Sequence, residues 1–463
     1  MGDGYRLRRV HAWLTWYRRE KIATDRAVAF LSHGFGEGDE KPFIIRPVPK
    51  PRNEDVIAFD IRCDDPNFLI PRGNTELFSV RADNVSSNAV NLTARFRVLT
   101  YLDRKPVSSR DMPIKLTGGK SHPLSLAAKL SKPGMYRAEL TVRDAEKELR
   151  KLEWAFVYDW QHWDMPTTRP ADFNEFWQQT LEELRSQPLD AVVTPQADQS
   201  GCKICHVNFR SLGERRVYGW YIVPPGDGPF PAALILPGNG VYQMPFNFTW
   251  PHGRYALLVI QVHGYDVDLS NFPKVWPWKH SHGNYWSEWE SREQAFARIV
   301  YANCTRAVDF LMSRPEVNKD ELYLEGGSQG GGLAIITAAL NPAIKSVYIN
   351  APGLCRLDWL YPHFLDAPFP WNGKSPKPSG MSDKELLRIM SYYDAANFVP
   401  DIRCPITANI ALQDSVTIGG TALAAFRNTR APLTLVNGIW MNHRVDDRMN
   451  EAHLKWLKQT VLK

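Results

Sequence analysis

The sequence predicts an α/β fold, a mostly parallel sheet flanked by helices, preceded by a small all-β sandwich. Three observations predict it. Residues 232–236 and, but for Gln261, 256–262 are continuously apolar, as parallel strands covered on both faces by helices are. Phe296, Val300, Cys304, Val308 and Leu311 recur at the spacing of one helix face. From about residue 56 to residue 159 the pattern is instead one of short alternating segments separated by turn residues, the signature of a compact all-β unit.

A chain of 463 residues is long for one domain. The expected division is an N-terminal extension and linker over 1–54, an immunoglobulin-like β-sandwich over 55–160 and an α/β domain over 161–463. The net charge of +6 is spread along the chain, with no lysine or arginine block dense enough for a nucleic-acid groove. No apolar run approaches the length needed to span a bilayer. The first forty residues, with Arg6, Arg8, Arg9, Trp13, Trp16, Arg18, Arg19 and Lys21, lack the apolar segment and cleavage site of a secretory signal. Such a chain reads as cytoplasmic at face value, and as periplasmic or secreted where a native leader is missing. Six scattered cysteines read as buried thiols. Cys202-Lys203-Ile204-Cys205-His206 spells the c-type haem attachment pattern. The segment alternates like a strand, however, which sends the two cysteines to opposite faces.

Taken in order, Pro42, Pro47, Pro49 and Pro51 make an extended linker. Residues 91–101, 135–143 and 152–158 read as strands of the sandwich. Its chemical side chains form no constellation, so it reads as a spacer or substrate-shaping module, with a carbohydrate-binding module as the sharper alternative. Asp172 and Glu175 stand at capping-box spacing before Phe173, Trp177, Leu181 and Leu184 on one helix face. The α/β domain begins there, with strands at 206–209, 217–223, 232–236 and 256–262. Residues 250–289 are rich in aromatics and histidine, which suits either a packed loop or a saccharide site. His280 and His282 lack further ligands at usable spacing, so neither a metal nor a cofactor is expected. A Pro- and Trp-rich excursion at 352–377 resembles a lid.

Leu322-Tyr323-Leu324-Glu325 leads through Gly326-Gly327-Ser328-Gln329-Gly330 into the apolar run 333–340. This reads strand, tight turn, helix, and it fits G-x-S-x-G, in which glycines flank a serine held in a strained conformation. Asp414 ends a buried strand at 404–413, and His443 follows a strand at 433–437. Ser328, Asp414 and His443 therefore fall in the chain order of an α/β-hydrolase. A serine hydroxyl needs a histidine to take its proton, and that histidine needs a carboxylate to fix its tautomer. Asp394 and Asp401 compete for the acid role, but only Asp414 directly follows the penultimate core strand. Asn239, after the strand ending at residue 236, and Gln329, after the serine, are the candidate donors to an oxyanion. His263, Tyr265 and Trp286 are the candidate substrate contacts.

These residues carry a family resemblance. The region from about residue 170 onward resembles the acetyl xylan esterase and cephalosporin C deacetylase family of carbohydrate esterases. The matching stretches are Pro170-Ala171-Asp172-Phe173-Asn174-Glu175-Phe176-Trp177, residues 307–317 with Ser313-Arg314-Pro315-Glu316-Val317, Gly326-Gly327-Ser328-Gln329-Gly330-Gly331, Pro352-Gly353-Leu354-Cys355, and residues 391–398 through Cys404-Pro405. The resemblance implies nucleophile Ser328, acid Asp414, base His443, oxyanion N–H groups from Gln329 and Asn239, and no cofactor. It also implies an acetylated sugar or oligosaccharide as substrate, and a homo-oligomer. The chain departs from the family at His263-Gly264-Tyr265, at His443-Arg444, and at Ile418-Gly419-Gly420 after the acid. The family does not usually carry the N-terminal sandwich. Two other readings stay open: a peptidase of the prolyl oligopeptidase type, and a non-catalytic carbohydrate-binding protein on an esterase scaffold.

Overall fold

The computed structural model describes residues 57–198, 201–239, 254–268, 288–361 and 377–461. The expected extension over 1–54, Trp286, and most of the lid-like excursion lie outside these residues. Eight strands come first: β1 Ile57–Arg62, β2 Leu69–Ile70, β3 Glu76–Asn84, β4 Val90–Thr100, β5 Pro106–Leu116, β6 Ser121–Ala127, β7 Gly134–Asp144 and β8 Lys147–Tyr158. They form two sheets, ordered β1-β3-β6 and β2-β8-β7-β4-β5. Strand alternation decides which side chains meet between them. On β4, Leu92, Ala94, Phe96 and Val98 are buried, while Arg95 on the other face pairs with Asp111 of β5. The Phe78 ring of β3 stands 5.1 Å from the rings of Trp154 and Phe156 of β8, edge to face. The two sheets thus pack face to face as a sandwich.

A nine-stranded sheet follows among the described residues, in the order β17-β16-β15-β14-β12-β13-β11-β10-β9. Its strands are β9 Val192–Pro195, β10 Lys203–Arg210, β11 Arg216–Val223, β12 Phe230–Leu236, β13 Ala256–Gln261, β14 Val317–Gly327, β15 Ile344–Asn350, β16 Ile406–Ala411 and β17 Leu433–Gly438. Every pairing among β12 to β17 is parallel, and β9 to β11 add an antiparallel margin. The longer helices among the described residues are α1 Phe173–Ser186, α2 Phe296–Ser313, α3 Gln329–Leu340, α4 Asp383–Met390, α5 Gly419–Phe426 and α6 Asp447–Trp456. Leu234, Leu258 and Leu324 share a core with α2 and α3, whereas Ile235, Val259 and Tyr323 share the opposite one with Trp456 of α6. Both faces are covered, which is why β12 and most of β13 read as apolar runs. Among the described residues no helix is long and apolar enough to cross a membrane.

Two local expectations are settled here. Asp172 stands at the start of α1 but its side chain caps nothing. Its carboxylate accepts instead from Tyr392 Oη and Arg292 Nη1, partners brought from far along the chain that outcompete the local N–H groups. Cys202 and Cys205 contribute to opposite faces of the sheet.

Topology directs attention to one end of the sheet. The chain goes from β12 to β13 on one side, then returns to β14 on the other. Where the order reverses, loops leaving the carboxyl ends of the strands separate and leave a crevice. The ends of β12 and β14 flank that point.

Candidate active site

Ser328 is the single residue between β14 and α3, with φ 59° and ψ −124°. This left-handed region is costly for a residue with a Cβ, so the surroundings must hold it. They do so by backbone bonds. The Ser328 N–H donates to Asn350 O at 2.9 Å, and Ser328 O accepts from Gly331 N at 3.0 Å and Gly353 N at 2.9 Å. The two glycines of the motif allow this closeness. A Cβ on Gly326 would lie 2.1 Å from Gly330 O, and one on Gly330 would lie 2.2 Å from Leu236 O. Strand and helix are therefore pressed together at the turn, and the serine side chain projects away from both.

Asp414 follows β16 by three residues and is 1 % exposed. Its Oδ1 accepts from Val416 N at 2.7 Å and Thr417 N at 3.0 Å. Its Oδ2 lies 2.7 Å from His443 Nδ1 and accepts from Thr417 Oγ1 at 2.8 Å. Burial pushes the carboxyl up, but the bond and charge of His443, with the Thr417 and Val416 N–H groups, outweigh it and hold the group below its ordinary value. His443 follows β17 by five residues. Its own N–H donates to Asn442 Oδ1 at 2.9 Å, and that oxygen also accepts from Ser415 N at 3.0 Å. The acid loop and the histidine loop are thereby tied together.

His443 Nε2 stands 3.0 Å from Ser328 Oγ. With Nδ1–H donated to an ionised Asp414, the lone pair on Nε2 faces the serine hydroxyl. The His443 side chain is about one-third exposed while that of Asp414 is 1 % exposed. The carboxylate is therefore dry and the imidazole edge open to a reactant. Gln329 opens α3, where a backbone N–H has no intrahelical acceptor. Asn239 is exposed three residues after β12, whose end abuts Gly330.

The structure brings Ser328, Asp414 and His443 together from three strand ends. His263 and Tyr265, just after β13, are buried, with their rings nearly parallel at 6.2 Å. Asp394 is occupied elsewhere: it accepts from the N–H groups of Arg356, Leu357 and Ala396. Asp401 pairs with Arg169, and His453 of α6 lies against Glu325. Sequence reasoning missed Thr417 and Asn442, which steady the acid and histidine loops. Thr417 was findable, since a carboxylate accepting N–H groups two and three residues on is an Asx-type turn with its own sequence signature.

A mostly parallel sheet with a serine turn after β14, an acid loop after β16 and a histidine loop after β17 defines an α/β-hydrolase. The comparisons with known proteins agree. The family model described as acetyl xylan esterase matches residues 159–460; the chain belongs to that family, and it is a carboxylic ester hydrolase. The acetyl esterase Axe7A of Xylanibacter ruminicola is 26 % identical over 316 residues, covering 64 % of this chain and 68 % of that protein. The acetyl xylan esterase from Paenibacillus sp. R4 superposes with a TM-score of 0.56 at 22 % identity, over 65 % of this chain and 98 % of that one. Acetyl xylan esterase 1 from Thermoanaerobacterium sp. JW/SL YS485 gives a TM-score of 0.54 at 19 % identity, with the same coverage. These solved structures share the fold. Strands β1 to β8 lie before the region matched by the family model.

Proposed function

We propose that this chain is a serine esterase that removes acetyl groups from xylo-oligosaccharides or related acetylated sugars through an acyl-enzyme. The observation that carries the reading is the unbroken line from Asp414 through His443 to Ser328, at 2.7 Å and 3.0 Å. Ser328 Oγ attacks the acetyl carbonyl carbon while its proton passes to His443 Nε2, and Asp414 stabilises the imidazolium. The oxyanion accepts from the N–H groups of Gln329 and Asn239. Collapse of the tetrahedral adduct breaks the bond to the sugar oxygen, which leaves with the proton from His443. Water repeats the attack on the acyl-enzyme and releases acetate.

The sugar as substrate rests on the family and on the names of the relatives; the acyl group rests on the same ground. We read residues 161–463 as the catalytic domain and 55–160 as an immunoglobulin-like sandwich, the latter on its strand order. A three-stranded sheet faces one built around β8, β7 and β4, and the short β2 pairs in parallel with the last strand.

The test is acetate release from acetylated xylo-oligosaccharides, beside a small aryl acetate, by the wild-type chain and Ser328→Ala. Release from both substrates, abolished in the variant, is the expected result. Turnover of the aryl acetate alone would keep the serine mechanism and reject the sugar; activity surviving Ser328→Ala would reject the mechanism.

A further inference from the structure

The sandwich lies against the two loops that carry Asp414 and His443, and it reaches them through specific groups. Tyr101, in the turn between β4 and β5, is 3 % exposed, and its hydroxyl donates to Leu412 O at 2.8 Å. Leu412 begins the acid loop; Gly420, in the first turn of α5, ends it. The same ring lies against Gly420, where a Cβ would come within 2.8 Å of Tyr101 Cε1 and 2.7 Å of Met135 Sδ of β7. Glycine is required here for close approach rather than for conformation, and it stands in the Ile418-Gly419-Gly420 stretch that follows the acid.

The phenol is held rigidly from its own side. The Arg137 guanidinium stacks 4.6 Å from the ring centre, its Nε donates to Tyr101 O at 2.8 Å, and its Nη1 pairs with Glu153 at 3.0 Å. Burial raises the phenol to about 12, against the opposing effects of the Arg137 charge and the nearby Gly420 N–H. The group therefore stays an O–H donor at any working pH. Tyr101 thus touches both ends of the loop that presents Asp414, its oxygen at Leu412 and its ring at Gly420.

Neighbouring contacts extend the brace. Gln413, next to the acid, donates to Glu153 O of β8 at 3.0 Å and to Ile439 O at 3.1 Å. Trp154 of β8 packs on Trp440 in the histidine loop, with ring centres 5.6 Å apart. Asn67 pairs with the edge strand β17: Nδ2 donates to Leu435 O at 3.0 Å and Oδ1 accepts from Asn437 N at 2.9 Å. An amide set this way stands in for a missing strand neighbour.

We propose that Tyr101 is a positioning residue for the esterase: reaching from the sandwich, its hydroxyl holds the loop that carries Asp414, so the N-terminal sandwich is a working part of the catalytic unit. The proposal rests on the Ser328–His443–Asp414 reading above. A displaced carboxylate misaims the histidine, and small misplacements of a catalytic group are expensive in rate.

The experiment is a double-mutant cycle on the full chain, with kcat and KM measured on a small aryl acetate. Tyr101→Phe keeps the ring and removes the donor; the expected result is about a tenfold fall in kcat with KM changed by less than about twofold. In an Asp414→Asn background the same substitution should change kcat by less than about twofold, because the carboxylate it serves is gone. Gly420→Ala, which pushes the ring off the loop from the other side, should reproduce both results and serves where Tyr101→Phe folds poorly. An unchanged kcat, or the same fall in both backgrounds, overturns the proposal while leaving the triad standing. An Asp414→Asn chain as fast as wild type overturns the triad, and the proposal with it.

Discussion

Replacing Asp414 by asparagine isolates one feature of the site, because the surrounding backbone decides how the new amide sits. Oδ1 of Asp414 accepts from two N–H groups, those of Val416 and Thr417. Only the amide oxygen can take that place, so the amide nitrogen must occupy the Oδ2 position, 2.7 Å from His443 Nδ1. Two donors cannot face each other. His443 is driven to the tautomer with Nδ1 bare and Nε2 protonated, and its Nε2–H then points at Ser328 Oγ, 3.0 Å away, where a lone pair is needed. Loss of the correct tautomer in a serine triad costs about 10⁴ in kcat, equivalent to about 5 kcal/mol of transition-state stabilisation. The fold should survive, since both backbone N–H groups keep an acceptor. The assay is kcat for a small aryl acetate together with the rate of phosphonylation of Ser328, and both should fall together. A loss smaller than about tenfold would refute the argument, because an aligned and functioning histidine cannot coexist with a donor at that distance.

The remaining predictions concern stability. Gly326→Ala puts a Cβ 2.1 Å from Gly330 O, whereas Gly327→Ala meets nothing nearer than 3.7 Å; the first should cost about 3 kcal/mol or more and the second less than about 1 kcal/mol, read from denaturant midpoints. Asn67→Ala removes the pairing to Leu435 and Asn437 of β17 and should cost about 2 kcal/mol in the same assay. Burial holds the His263 imidazole down from 6.5 to about 4, so the native chain binds fewer protons than the unfolded one between those values. Its contribution is present above about pH 6.5 and lost as the pH falls toward 4, so wild-type unfolding free energy should drop across that window and that of His263→Gln should drop less.

Much of this was legible in one dimension for identifiable reasons. The apolar runs at β12 and β13 and the helical spacing of α2 reflect burial, which depends on side-chain chemistry and period. The turn at Ser328 was legible because its glycines answer a local need: backbones at Gly326, Gly330 and Leu236 approach too closely for any Cβ. The order of Ser328, Asp414 and His443 followed from the strand ends. What escaped were contacts between distant segments. Asp172 has the residue type and spacing of a cap, yet Tyr392 and Arg292 claim its carboxylate. The sandwich read as a spacer because none of its residues forms a constellation by itself. Tyr101 acquires a role only against Leu412 and Gly420.

By itself, then, the sequence determined the fold class and the strained serine turn and supplied the candidates for the acid and the base, because each rests on local backbone geometry or on the periodicity of burial. Only the tertiary structure decided how the acid loop and the histidine loop are held. The supports from the sandwich act through hydrogen bonds at Tyr101 and Gln413 that join segments more than two hundred residues apart. A hydrogen bond requires a donor and an acceptor at about 3 Å, and that separation is set by packing of the whole chain.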